Sequence, residues 1–83
     1  MYKFHEFYIT DHMMGAIGRY VEDHLQPGHF LSAVIANDLS EAVSRADSET
    51  AKNLAAYVIY FQNETPSQCH GSPETMKRWL TVK

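Results

Sequence analysis

The chain is poor in the residues that would place it outside the cell or on a nucleic acid. Cysteine occurs once, as Cys69, so no intramolecular disulfide can form and a reducing cytosol is the compartment expected. Lysine and arginine together number 7 against 10 acidic residues, for a net charge of −3. Nucleic-acid affinity comes largely from neutralised phosphates and needs a basic stripe, so cations spread this thinly do not predict it. No apolar run approaches the roughly 20 residues that span a bilayer, and no membrane role is expected. The opening stretch MYKFHEFYITDHMMG has no basic segment followed by a continuous apolar one, so a secretory signal is not expected.

What is present is an ordinary globular composition. The 83 residues are 45% hydrophobic and 20% charged, which disfavours disorder and allows one domain. A chain of this length buries roughly 60–65% of its unfolded surface, leaving a thin margin of stability.

Apolar spacing organises most of the chain into helices. Met13, Met14, Ile17, Tyr20, Val21 and Leu25 recur at intervals of three and four, with Asp11 as candidate N-cap and Gln26-Pro27-Gly28 as the stop. A second helix is expected from Gly28 or His29 to about Ala46, with Leu31, Ile35, Ala42 and Ala46 along its apolar stripe. Asp47 or Ser48 then caps a third helix with Leu54, Tyr57, Val58 and Phe61 on its core face. The run AAYVIYF is apolar almost all round, so Ile59 and Tyr60 call for cover that a second subunit could supply. Residues 63–71, NETPSQCHG, form a polar loop, and Ser72-Pro73-Glu74 opens a last helix as N-cap, first-turn proline and acid. The expected fold is all-α: a small four-helix domain over residues 11–83 with short connections, preceded by an irregular aromatic arm over residues 1–10.

Two places break the apolar pattern. Asp38 falls inside the second helix's stripe, beside Asn37, with Arg45 two turns further on nearly the same line. A carboxylate there must find a cation or donors, either as a buried structural pair or as the polar floor of a pocket. The loop from Asn63 through Glu64, Ser67, Gln68 and Gly71 to Ser72 runs into a helix N-terminus, where free N–H groups suit an anion; a well-capped connection is the structural alternative.

Metal and catalytic readings find little. His5, His12, His24, His29 and His70 lack ligand spacing, so no metal or other cofactor is expected. Cys69 precedes a helix start but has no evident base, and Glu41 and Glu64 form no paired-carboxylate signature, so no catalytic residue is assigned. Tyr57, Tyr60, Phe61 and Trp79 are core or interface residues first and stacking platforms second.

The runs PGHFLSAVIANDLSEAVSRAD and NETPSQCHGSPETMKRWL resemble a family of small proteins of tailed bacteriophages and prophages. The resemblance covers about half of the chain and excludes the first eighteen residues. It implies a host bacterial cytoplasm during infection, where small accessory proteins often counter host defence. The functional expectation is a homo-oligomeric binding protein that sequesters a nucleotide-derived immune signal. Arg45 and the helix start at Ser72 would hold phosphate, and Asn37, Asp38 and Glu64 would read hydroxyls or base edges. Asn63, Ser67 and Gly71 would complete the loop, with Tyr57 or Trp79 stacking. The alternative is a helical interaction module that blocks a host defence protein and has no small-molecule site.

Overall fold

The computed structural model describes residues 1–82, and its first element corrects the expected irregular arm. Strand β1 (Tyr2–Phe4) pairs antiparallel with β2 (Phe7–Ile9) in the register Tyr2↔Ile9, Lys3↔Tyr8 and Phe4↔Phe7. Tyr2, Phe4, Phe7 and Ile9 therefore share one face, and the alternation is interrupted only by the two-residue turn His5-Glu6. His5 takes the left-handed conformation there, with φ 56°. The aromatic face packs on the protein, and Ile9 is completely buried.

Helix α1 (Asp11–Asp23) is capped by Thr10 and not by Asp11: the Thr10 hydroxyl accepts the Met13 N–H. Asp11 stands in the first turn, where its charge complements the helix dipole. The helix ends at His24, φ 58°, before Pro27 is reached. Ile17 and Tyr20 are its buried residues, while Leu25, expected on the core face, is exposed.

The long second helix expected between Gly28 and Ala46 is two helices. Helix α2 (His29–Ile35) stops in a Schellman motif, in which Asp38 N–H donates to the Ala33 carbonyl and Asn37 N–H to that of Val34. Asn37 takes the left-handed position at φ 64°, a role asparagine fills more readily than other residues with a Cβ. Asp38 then caps α3 (Leu39–Arg45), its carboxylate accepting the Glu41 N–H at 3.2 Å. The change of direction lets α3 fold back against α2. Asp38 is thus exposed, and no buried Asp38–Arg45 pair forms: Arg45 binds Glu41 instead, at 2.7 Å.

The third expected helix is also divided. Asp47 caps α4 (Ser48–Lys52), and Asn53 separates it from α5 (Leu54–Glu64). Asn53 is the one buried polar residue among the described residues, and its amide accepts from Tyr8 N–H and donates to the Glu49 carbonyl. Ala56, Tyr57 and Phe61 of α5 enter the core. The hairpin packs on another side of α5, with Tyr2 edge-on to Tyr60 at 4.9 Å between ring centroids. The hairpin therefore covers part of the side on which Tyr60 projects, and Ile59 and Tyr60 are both left half-buried.

After α5 a single 3-10 turn (Ser67–Cys69) buries Cys69, and α6 (Pro73–Thr81) starts as the sequence predicts, with the Ser72 hydroxyl accepting the Thr75 N–H. Asn63 and Glu64 belong to the last turn of α5 and not to the loop. Gly71 N–H donates to the Ile35 carbonyl, and the Trp79 indole donates to the Tyr20 carbonyl. These bonds fix α6 antiparallel to α2, its start near the end of α2 and its end near the end of α1. The described residues thus form six helices and one hairpin around a single core. No helix among them is long and apolar enough to cross a membrane.

Candidate functional site

The antiparallel placement of α2 and α6 leaves an open groove of about 440 Å³ between them. Its floor is Ala33, Ala36, Met76 and Leu80. The small side chains Ala33 and Ala36 on α2 leave the space between the two helices open, where larger ones would fill it.

The two ends of the groove differ in chemistry. Asp38 and Glu41 flank one end, beside Pro73 at the start of α6. The Asp38 carboxylate uses one oxygen to cap α3, and its other oxygen has no partner among the described residues. Glu41 is partly neutralised by the Arg45 guanidinium at 2.7 Å. At the other end stand Gln26, His29 and Ser32, where the Gln26 amide donates to the Ser32 hydroxyl and that hydroxyl donates to the Pro27 carbonyl. Lys77, midway along α6, brings a cation to the wall. An apolar floor between a carboxylate-bearing end and a hydroxyl- and amide-bearing end is the make-up of a small-ligand site.

The sequence-predicted residues are dispersed over the surface. Asp38 lines the groove, and Arg45 reaches its rim through Glu41. Asn37 and Gly71 meet in a separate hollow of about 190 Å³ beside His70, whose imidazole burial pushes below its ordinary pKa. Tyr57 lies on the far side of the core, edge-on to Phe30 at 5.0 Å, and cannot stack in the groove. Asn63, Glu64 and Ser67 are exposed and line none of these hollows, and Ser72 spends its hydroxyl on the cap of α6. Trp79 is half-buried and structural: besides its indole bond to Tyr20, its carbonyl lies 2.8 Å from His24 Nδ1. A carbonyl can only accept, so the His24 proton sits on Nδ1.

Protein-family models, curated proteins and solved structures were all compared with this chain, and none matches. Its function rests on its own geometry. The residues that sequence reasoning missed are Gln26, His29, Ser32 and Lys77. Gln26, His29 and Ser32 cluster locally around Pro27-Gly28, and the docking of α6 brings Lys77 to the same groove.

Cys69, the sole thiol, is completely buried, and burial pushes its pKa up. A neutral, enclosed thiol is the reverse of an activated nucleophile. Among the described residues no cluster of three or more His, Cys, Asp or Glu side chains converges as a metal site would require.

Proposed function

We propose that the protein is a small binding protein that takes a nucleotide-derived ligand in the α2–α6 groove. The observation that carries this reading is the pairing of an apolar floor with a half-used carboxylate, Asp38, at one end. A carboxylate is well suited to the vicinal hydroxyls of a ribose. The floor accepts a base, and Lys77 and His29 lie on the side where a phosphate would be directed. In the setting implied by the resemblance to small phage proteins, binding of this kind withholds a host immune signal.

The test is thermal shift of the full chain against nucleoside monophosphates, cyclic dinucleotides and nicotinamide-derived nucleotides. A ligand at a hundred times its Kd stabilises the folded state by about 2.7 kcal/mol, a readily measured shift. Asp38→Asn and Lys77→Ala should each abolish the shift for the ligand found. Absence of any shift across the panel removes this reading, and loss of intact ligand after incubation would show turnover.

A second reading, a protein-interaction module that blocks a host protein, has its own observation. Leu39 and Val43 lie four apart on α3 and are 51% and 52% exposed, an apolar pair on an otherwise polar face. Replacing both with serine should remove anti-defence activity in infected cells under this reading and leave it intact under the first.

A further inference from the structure

A further hollow, of about 340 Å³, opens where β2 and the start of α1 face α4 and α5. Tyr8, Thr10, His12, Asp47, Glu49 and Tyr57 supply its polar wall. Among the described residues no lysine or arginine lines it. It has space for several waters or a short organic chain.

Most of this wall is fixed by bonds within the protein. The Tyr8 hydroxyl donates to Glu49 Oε2 at 2.5 Å, and Asp47 accepts the Thr50 N–H at 2.7 Å. Asn53 lies beside them, its amide oxygen held by the Tyr8 N–H and its amide nitrogen by the Glu49 carbonyl. Tyr57 is the exception. Its side chain is only 2% exposed, yet its hydroxyl has no hydrogen-bond partner among the described residues. Among the described residues no fully enclosed side-chain oxygen or nitrogen lacks a partner, so the Tyr57 oxygen keeps its outlet to solvent, and this hollow is the one it lines. Burial, and then the charges of Asp47 and Glu49, which line the same hollow, push its phenol up to about 12.

We propose that this hollow is a binding site for a small organic ammonium ion, whose N–H groups donate to the Tyr57 hydroxyl and to the carboxylates of Glu49 and Asp47. An anion is disfavoured by two carboxylates that, among the described residues, have no lysine or arginine beside them. A single metal ion is disfavoured because these ligands do not converge on one point. An alkyl diammonium ion can span separated acceptors, and its methylene chain finds the ring of Tyr57 and the thioether of Met13 along the same wall. The site is independent of the α2–α6 groove and shares no lining residue with it.

The experiment is an amide NMR titration of the full chain with putrescine, beside its uncharged diol analogue and sodium chloride at matched ionic strength. Saturable shifts at the Tyr8, Thr50 and Asn53 amides are expected with putrescine alone. Tyr57→Phe keeps the ring and removes one oxygen, and it should weaken binding about tenfold; Glu49→Gln should weaken it at least as much. Because Glu49 also holds Tyr8, Tyr57→Phe is the decisive variant if Glu49→Gln perturbs the fold. Shifts that fail to saturate, that appear equally with the diol or the salt, or that keep their affinity in Tyr57→Phe would overturn the proposal.

Discussion

The phenol of Tyr20 donates a 2.6 Å hydrogen bond to the carbonyl of Cys69, 49 positions along the chain, and both residues are completely buried. The bond ties the 3-10 turn before α6 to the middle of the core. With the Trp79 indole on the Tyr20 carbonyl, it makes one residue of α1 the anchor for both ends of the final helix. The α2–α6 groove exists because that anchor fixes where α6 lies.

Tyr20→Phe should therefore cost more than a hydroxyl on an accessible tyrosine. It leaves the Cys69 carbonyl enclosed without its donor, a loss of about 1–3 kcal/mol. Urea denaturation should show a lower midpoint with an unchanged slope. A midpoint equal to the parent's would mean that water replaces the bond and that the anchor is weaker than its geometry implies.

Alkaline pH should destabilise the fold over a defined window. Burial raises both Tyr20 and Tyr57, the latter from 10.0 to about 12. A raised pKa means that the folded state holds a proton the unfolded chain has already released. The resulting stability is complete below pH 10.0 and is lost as pH rises toward about 12. Urea midpoints should be level below this window and fall through it. Tyr57→Phe should flatten part of the fall, and an unchanged profile in that variant would assign the effect elsewhere.

Asp38 and Arg45 separate two accounts of the same sequence. If they formed a buried pair inside one long helix, removing either would cost about 3–5 kcal/mol. In the structure Asp38 is a helix cap, so Asp38→Ala should cost about 1 kcal/mol. Arg45 holds only an exposed partner one turn away, so Arg45→Ala should cost under about 0.5 kcal/mol. Equal and large losses in the two variants would restore the single-helix account.

The comparison shows what periodicity carries and what it leaves out. Helix α6 was legible down to its cap because Ser72, Pro73 and Glu74 act locally, each on its own backbone neighbours. The break at Asn37-Asp38 was not, because the apolar stripe continues across it and only the left-handed asparagine marks the turn. Asp38 looked anomalous inside a helix for the physical reason that it starts a new one. The hairpin hid behind a similar interruption: Tyr2 and Phe4 alternate, His5-Glu6 is the turn, and Phe7 and Ile9 resume on the same face. The groove could not be read at all, since Ser32, Asp38 and Lys77 meet through tertiary docking and have no common local pattern.

Cys69 offers a direct measure of how often that docking opens. Its sulfur is completely enclosed, and burial holds its pKa up, so a disulfide reagent has neither access nor thiolate in the folded state. Labelling in native buffer should be far slower than for an exposed thiol, at a rate set by release of the 3-10 turn and α6. Tyr20→Phe loosens the bond to the Cys69 carbonyl and should accelerate labelling, whereas Arg45→Ala, remote from that bond and exposed, should leave the rate unchanged. Any ligand that bridges the two walls of the α2–α6 groove must slow labelling, because it holds α6 in place. Fast labelling of the parent in native buffer would show that the turn around Cys69 opens readily, and the groove that depends on α6 would then lack a fixed wall.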